Sequence, residues 1–447
     1  MRALVIDNFG PIKHAALELD NMLDIVIGPQ ASGKSTIAKV IYFCRKTRDY
    51  LVDFLMDSQN FINTHPNELY VNFLKYIRKN FMGFFGTTKH IKKFSIEYFF
   101  NKETHTFLKI TLDDEGYAKI LFSQNISMTI KDLLREAYQI QEENIKNKDF
   151  SFLERFNKEA QIRELSYKHF TEIIYSLFCD DQIIVYIPAG RSVLSTFSEQ
   201  LYDVNVTMMD TTMQEFIGLI RTTRGKFNSK LDDIVANYTK TVKGQINNFD
   251  VQSAILIISK ILRGNYVFDK DGEKIYYDTD KWIKLMFASS GQQESLWSLM
   301  LMFSFILEKR SAFVVLEEPE AHLFPEAQKY IVELISLFCN STKSSMFLTT
   351  HSPYVLTSVN LLIHSFKVEN NSKVLSEKNR LPIVPKNCRL NPSKINAYMI
   401  RPESKNNIDS IIESETRLID AYEIDKVSQI ISDETDKLID LEIKYDL

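Results

Sequence analysis

The 447-residue sequence predicts an α/β fold in which a mostly parallel core sheet carries an antiparallel meander and helical inserts. Continuous apolar runs at Leu23–Ile27, Ile183–Ile187 and Ala312–Leu316 have the length and two-sided apolarity of buried strands. Strand and helix patterns alternate through the second half, which calls for parallel pairing with helices packed on the sheet. Three alternating stretches, Phe94–Phe99, Thr106–Leu112 and Ala118–Phe122, are separated by polar and glycine turns and predict the meander.

In chain order, strand-like Ala3–Ile6 and Ala15–Leu19 precede the run that ends at Ile27, just before Gly28. From Thr36 the pattern turns helical through Ile37, Val40, Ile41 and Phe43, and it continues to about Phe85. A charged helical stretch over 128–178 leads to the Ile183–Ile187 run, which Pro188 closes. Residues 210–262 are again helical, and Lys270-Asp271-Gly272 turns a hairpin between Tyr266–Phe268 and Lys274–Tyr277. A helix from Gln292 to Leu307, a strand at Ala312–Leu316, a helix over Pro325–Phe338, a strand at Met346–Leu348 and a short strand at Ser365–Val368 complete the alternation. These divisions suggest a lobe at 1–200 with the meander and helical insert, a helical lobe at 201–310, the second half of the core sheet at 311–370, and a helical tail at 371–447.

A chain that is 45% hydrophobic with only 13 Gly and 11 Pro has a globular composition, which excludes a disordered or collagen-like one. No apolar run of about 18 residues occurs, and the first residues lack a charged segment, apolar stretch and small-residue cleavage site, so a soluble cytoplasmic protein without membrane contact is expected. Cys44, Cys179, Cys339 and Cys388 are scattered and predict reduced thiols rather than a zinc site. The net charge of −4 hides an asymmetry, because residues 402–447 carry −8 and the body +4. Apolar residues at helical spacing in that tail (Ile408, Ile411, Ile412, Leu418, Ile419, Ile424, Val427, Ile431, Leu438) fit either a packed helix pair or a docking element. Two local basic clusters, Arg221/Arg224/Lys226/Lys230 and Lys89/His90/Lys92/Lys93, read as solvated faces or as contacts for DNA or RNA phosphates.

Gly28-Pro29-Gln30-Ala31-Ser32-Gly33-Lys34-Ser35 matches G-x-x-x-x-G-K-[ST] between a strand and a helix, the context that makes a phosphate loop. Gly28 and Gly33 let the backbone wrap a phosphate, while successive N–H groups and the helix N-terminus supply positive charge. Lys34 is placed for the β- and γ-phosphates and Ser35 for Mg²⁺, with Thr36 in the same first turn. Ala312–Leu316 ends in Glu317 and Glu318, a carboxylate pair at the edge of a parallel strand where nucleotides bind. Adjacent strand residues point apart, which divides their roles: Glu317 holds Mg²⁺ through water, and Glu318 is the general base for an attacking water.

Between these motifs, Ala288-Ser289-Ser290-Gly291-Gln292-Gln293-Glu294 closely resembles the L-S-G-G-Q signature of ABC-type ATPases. The order of phosphate loop, signature, Glu317-to-Pro325 segment and Thr349-Thr350-His351-Ser352-Pro353 resembles the RecF/SMC/OLD branch of that family, as does the opening Ile6-to-Ile12 hairpin. The resemblance covers about 1–40 and 180–370 in blocks. It implies an ABC-type ATP-hydrolysing head in which Ser290, Gly291 and Gln292 bind the γ-phosphate of ATP held by a second subunit. It further implies that residues 320–325 cross a dimer contact and that His351 senses the γ-phosphate. His322 reads equally well as packing or as a helix-end contact. The family's usual Asp-Glu is Glu317-Glu318 here, and its glutamine loop is replaced by Pro188-Ala189-Gly190-Arg191-Ser192. Arg191 is thus open to a phosphate, a carboxylate or a structural ion pair. Gln124 is an alternative glutamine, and Phe9 and Lys13 are candidate nucleotide contacts from the first hairpin.

The inserts separate the relatives. About 260 residues between Gly28 and Gly291 contain strands and turns, which excludes an SMC coiled coil. Fewer than 100 residues follow His351 and hold no Asp-x-Asp, so neither a Toprim nor an HNH nuclease fits there. A bare ATPase of this plan resembles the Septu PtuA and retron-associated anti-phage ATPases, which implies a homodimer or larger homo-oligomer working with a separate nuclease or effector. The alternatives are a RecF-like repair ATPase and a slow ATP-dependent sensor or scaffold.

Overall fold

A computed structural model describes residues 1–146, 152–196, 208–241, 247–371, 374, 382–404, 407–420 and 430–440. The elements run β1 (Ala3–Phe9), β2 (Ile12–Glu18), β3 (Leu23–Ile27), α1 (Lys34–Met56), α2 (Leu69–Phe85), β4 (Ser95–Asn101), β5 (Thr106–Leu112), β6 (Ala118–Phe122), α3 (Gln124–Lys146), α4 (Phe152–Leu177) and β7 (Ile183–Ile187). They continue with α5 (Val193–Thr196), α6 (Thr211–Thr223), α7 (Leu231–Thr241), α8 (Asn248–Leu262), β8 (Asn265–Asp269), β9 (Gly272–Tyr276), β10 (Trp282–Lys284), α9 (Ser290–Glu308), β11 (Ala312–Glu317), α10 (Pro325–Thr342), β12 (Ser345–Thr350), α11 (Pro353–Glu369), β13 (Ile395–Ile400) and β14 (Ile408–Ser410). No helix among the described residues is long and apolar enough to cross a membrane.

The core is a six-stranded sheet in the order β14-β13-β3-β12-β11-β7, parallel except at the β13–β14 pair. Its central strands are apolar on both faces because each face has its own core. Leu23, Ile25, Ile27, Val314, Leu316, Met346 and Leu348 pack with α6, α8, α9, α10 and α11. Val26, Phe313, Val315 and Phe347 point the other way, toward α1, α2 and the antiparallel sheet β2-β1-β4-β5-β6. Period-two geometry turns one uninterrupted apolar run into two faces. The mixed α/β fold with parallel core and antiparallel meander is therefore the one the sequence predicts.

Three local expectations need correction. Ser365–Val368 is not a strand but the last turns of α11, which starts at Pro353 with Ser352 as its N-cap. Val355, Leu356, Val359, Leu362 and Ile363 set a helical stripe that outweighs four strand-like residues. The tail is not uniformly helical: β13 lies parallel beside β3, and β14 pairs with β13. Ile408, Ile411, Ile412 and Leu418–Ile419 thus serve a β-strand and a bridge pairing Ile412 with Ile419. Residues 430–440 do form a helix, exposed along its length, whereas Ile424 and Val427 lie outside the described residues. β10 adds a third strand to the anticipated hairpin.

A buried ionic knot ties the two halves of the chain below the sheet. Asp180 accepts from Arg45 Nε at 2.7 Å and Arg45 Nη2 at 2.8 Å, and Arg48 Nη1 lies 3.0 Å from its Oδ1. The Arg45 guanidinium also sits 3.6 Å from the centre of the Phe313 ring in β11. Burial alone raises the Asp180 carboxyl, but Arg45 and Arg48 overcome it and hold the group below its ordinary value. Asp180→Ala strands two buried guanidiniums, so chemical denaturation should show a loss of about 3–5 kcal/mol. A loss under about 1 kcal/mol would mean the knot is wet and weak.

Candidate active site

β3 delivers Gly28 to the top of the core sheet, and the loop it opens is shaped by left-handed turns at Ala31 (φ 58°) and Gly33 (φ 106°). Gly33 requires glycine twice over, because an added Cβ would stand 2.9 Å from Ile12 Cγ1 and 3.0 Å from Pro11 Cγ of the first hairpin. Gly28 is pressed from the other side, with Ile400 of β13 only 3.0 Å from where its Cβ would be. The first hairpin and the late strand β13 therefore brace the loop together. Thr36 packs by the turn at Gly10, and Ser35 is exposed at the start of α1.

Lys34 folds over its own loop and donates to the Gly28 and Pro29 carbonyls at 2.9 and 2.8 Å. Burial lowers its ammonium from the ordinary lysine value, against the opposing pull of Glu318, Glu320 and Glu317. Those three carboxylates lie at and just after the end of β11. Glu317 is 5% exposed; its Oε2 accepts from Ala189 N at 3.2 Å, while its Oε1 makes no close hydrogen bond among the described residues, with the Tyr186 hydroxyl the nearby polar group. Ser32 Oγ and Glu320 Oε2 are also buried without a partner among the described residues. Buried polar atoms left bare are costly unless a ligand satisfies them.

Glu318 leaves the strand in a left-handed conformation (φ 44°), with its N–H donating to Thr349 O at 2.9 Å. Its carboxylate is over a third exposed, and His351 Nε2 lies 3.5 Å from Oε1. Glu320 Oε1 accepts from Thr350 Oγ1 at 2.8 Å and His351 N at 2.7 Å, fixing the histidine segment to the turn after β11. Gln328 adds a second tie, donating to Leu323 O at 2.9 Å and accepting from Ser352 Oγ at 2.6 Å.

The signature segment opens α9, with Ser289 as the N-cap in a capping box with Gln292. The Gln292 side chain is fully engaged there, since its oxygen accepts from Ser289 N at 3.0 Å and its amide donates to Leu262 O at 2.6 Å. Its contribution is thus to build the helix end, while Ser290 and Gly291 remain at the surface. They border an open depression of about 570 Å³ lined by Lys260–Arg263, Ser289–Gln292, His322–Phe324, Glu326, Ala327 and Tyr330. No phosphate-loop residue lines it.

Other candidates resolve differently. Phe9 is buried among Phe81, Phe85 and Phe94, which makes it a core residue and not a nucleotide contact. Lys13 offers its backbone N–H to Asn407 Oδ1 at 2.8 Å. Gln124 opens α3 beyond the meander. His322 is exposed with φ 58° and belongs to the depression. The first basic cluster is partly consumed, because Arg224 is buried with its guanidinium 4.7 Å from the Phe268 ring centre and Lys226 pairs with Glu308. Arg191 is 1% exposed and bonded throughout, the structural alternative of its three readings. Its partner Glu294 went unread because nothing local to the signature signals a contact 103 residues away.

Solved structures that match the chain include an SMC head bound to the C-terminal winged-helix domain of ScpA, at 12% identity and TM-score 0.38, covering 91% of this chain and 96% of that one. The SMC head domain from Thermotoga maritima matches at 12% identity and TM-score 0.34, covering 80% and 90%. An Smc head with an extended coiled coil, bound to the C-terminal domain of ScpA derived from Pyrococcus furiosus, matches at 13% identity and TM-score 0.37, covering 97% and 100%. No curated protein sequence matches the chain. Residues 1–356 match the AAA ATPase domain, a span that holds the phosphate loop, the signature segment, the end of β11 and His351, and the chain belongs to that family.

Proposed function

We propose that the protein binds and hydrolyses ATP as an ABC-type ATPase, in a head-to-tail pair that sandwiches two nucleotides between the phosphate loop of one copy and the signature end of the other. The observation that carries this reading is the separation of the two surfaces: the open depression at Ser290 and Gly291 contains no residue of 28–36. In the proposed pair a γ-phosphate held by the loop of one copy meets the signature helix end of the other, and a helix N-terminus favours that anion.

The bare oxygens fit the ligands. Glu317, through water, and the exposed Ser35 hydroxyl are the groups that would hold Mg²⁺, which when bound would supply neutralising charge to the phosphates. Lys34 exchanges two loop carbonyls for phosphate oxygens. Glu318 orients the attacking water and takes its proton, and His351, beside it, holds both base and γ-phosphate in register. ATP then acts as adhesive between copies, and hydrolysis releases them. We assign this cycle to gating a separate nuclease or effector in bacterial anti-phage defence, on the strength of the motif order that residues 1–40 and 180–370 share with such ATPases. The exposed Lys89/His90/Lys92/Lys93 turn offers phosphate-dominated contact with DNA or RNA.

Mixing two dead variants tests the pair. Lys34→Ala removes the loop's cation, and Ser290→Arg blocks the signature end, so neither homodimer hydrolyses ATP. In a mixture, one composite site per heterodimer joins an intact loop to an intact signature, and activity returns. A mixture as inactive as its components would overturn the head-to-tail arrangement.

A further inference from the structure

The loop after β7 carries a fully buried cation where the resemblance leads one to expect a glutamine. Arg191 Nη1 donates to Pro188 O and to Glu317 O, both at 2.7 Å, and Nη2 donates to Glu318 O at 3.1 Å. Nε donates to Glu294 O at 2.9 Å. The Glu294 carboxylate closes the arrangement by accepting from Arg191 N at 2.8 Å and Ser192 N at 2.6 Å. Glu294 lies one helical turn after Ser290, so it moves with the signature end.

This single guanidinium touches the main chain of both carboxylates at the end of β11 and the first turn of α9. One of those carboxylates is under backbone strain: Glu318 sits at φ 44°, a region that residues other than glycine occupy only when their surroundings enforce it. The contacts on its peptide groups are Thr349 O, which accepts its N–H, Ala321 N, which donates to its carbonyl at 3.1 Å, and Arg191, which binds that carbonyl together with the one of Glu317 and alone ties both to the signature helix. A planar fork with five fixed donors suits this task, and a lysine ammonium with a free stem does not.

We infer that Arg191, clamped by Glu294, is a positioning residue that holds Glu318 in its left-handed, catalytically aimed conformation and makes that conformation depend on where the signature helix sits. The inference rests on the ATPase reading above and adds a coupling to it: a γ-phosphate drawing on Ser290 of one copy shifts Glu294, and through Arg191 the base of that same copy. Each copy's base thereby responds to the nucleotide held by its partner, which would link the two sites of a pair.

Arg191→Lys, Glu294→Gln and the double variant test it, read by steady-state kcat and KM, by ATP affinity measured without turnover, and by Tm. The expected result is a kcat ~100-fold lower in each single variant, the scale of a small misplacement of a reacting group, with ATP affinity little changed. The double variant should lose no more than the worse single one, because both cut one link. Should Arg191→Lys fail to fold, Glu294→Gln, which keeps size and one acceptor oxygen, decides alone. An unchanged kcat in the folded variants overturns the inference. So does a fall in kcat that only tracks the folded fraction or ATP affinity, since that is what a purely structural tie gives. Absence of hydrolysis by the wild-type chain overturns the parent reading and this one with it, whereas active wild type with unaffected variants overturns this one alone.

Discussion

Glu318→Gln abolishes ATP turnover in the expected outcome and leaves ATP binding intact, so that ATP-bound pairs accumulate instead of dissociating. The substitution exchanges one carboxylate oxygen for an amide group of similar size; although the carboxylate lies 3.5 Å from His351 Nε2, the backbone is held by its N–H on Thr349 O and its carbonyl under Arg191 and Ala321 N. None of those bonds involves the side chain. The amide cannot take a proton from water at neutral pH, so the loss is that of a general base, roughly 10²- to 10⁴-fold in kcat. Nucleotide affinity resides in the loop and Lys34, which the change spares. Single-turnover hydrolysis, nucleotide titration and sedimentation on one preparation separate the three effects. Hydrolysis at the wild-type rate would move the base elsewhere, Glu320 being the next carboxylate with a bare oxygen.

What the sequence made legible was whatever chemistry sits on consecutive residues. The phosphate loop, the strand ending in Glu317-Glu318, and the small residues opening α9 each declare themselves within about eight positions, because a turn, a strand end or a helix cap is a local object. The two-faced strands were legible for the same reason. What stayed hidden was made by partners distant in the chain. Arg191 reads as an arginine in a loop until Glu294, Glu317 and Glu318 are brought to it from 103 to 127 residues away. β13 was illegible because Ile-Asn-Ala-Tyr-Met-Ile is short and mixed, and only the free edge of β3 makes it a strand. Its consequence reaches the site, since Ile400 presses on Gly28. The misread strand at 365–368 shows the converse error, four residues judged without the helical stripe leading into them.

Gly291→Ala sets two effects of opposite sign against each other at the signature end. By intrinsic propensity the change favours the helix by about 1 kcal/mol, since Gly291 is the second residue of α9. Its new methyl, however, would lie 2.7 Å from the His322 carbonyl oxygen, closer than a carbon and an oxygen can approach. The obstacle is backbone, in a turn already pinned by Leu323 N on Glu320 O at 2.9 Å and by Gln328 on Leu323 O, so it does not swing aside as a side chain would. Overpacking of this kind costs about 1–3 kcal/mol, enough to cancel the helix gain and push α9 and the 320–324 turn apart. Those two segments form the surface on which the partner's nucleotide is proposed to close. ATP affinity of the isolated copy should therefore match wild type, while ATP-dependent pairing and kcat fall together by ~100-fold. Gly218→Ala in α6 is the matched control, because nothing lies within 4 Å of its added methyl and it should leave pairing untouched. If Gly291→Ala hydrolysed ATP as well as that control, the close approach of α9 to His322 would have no part in assembling the site.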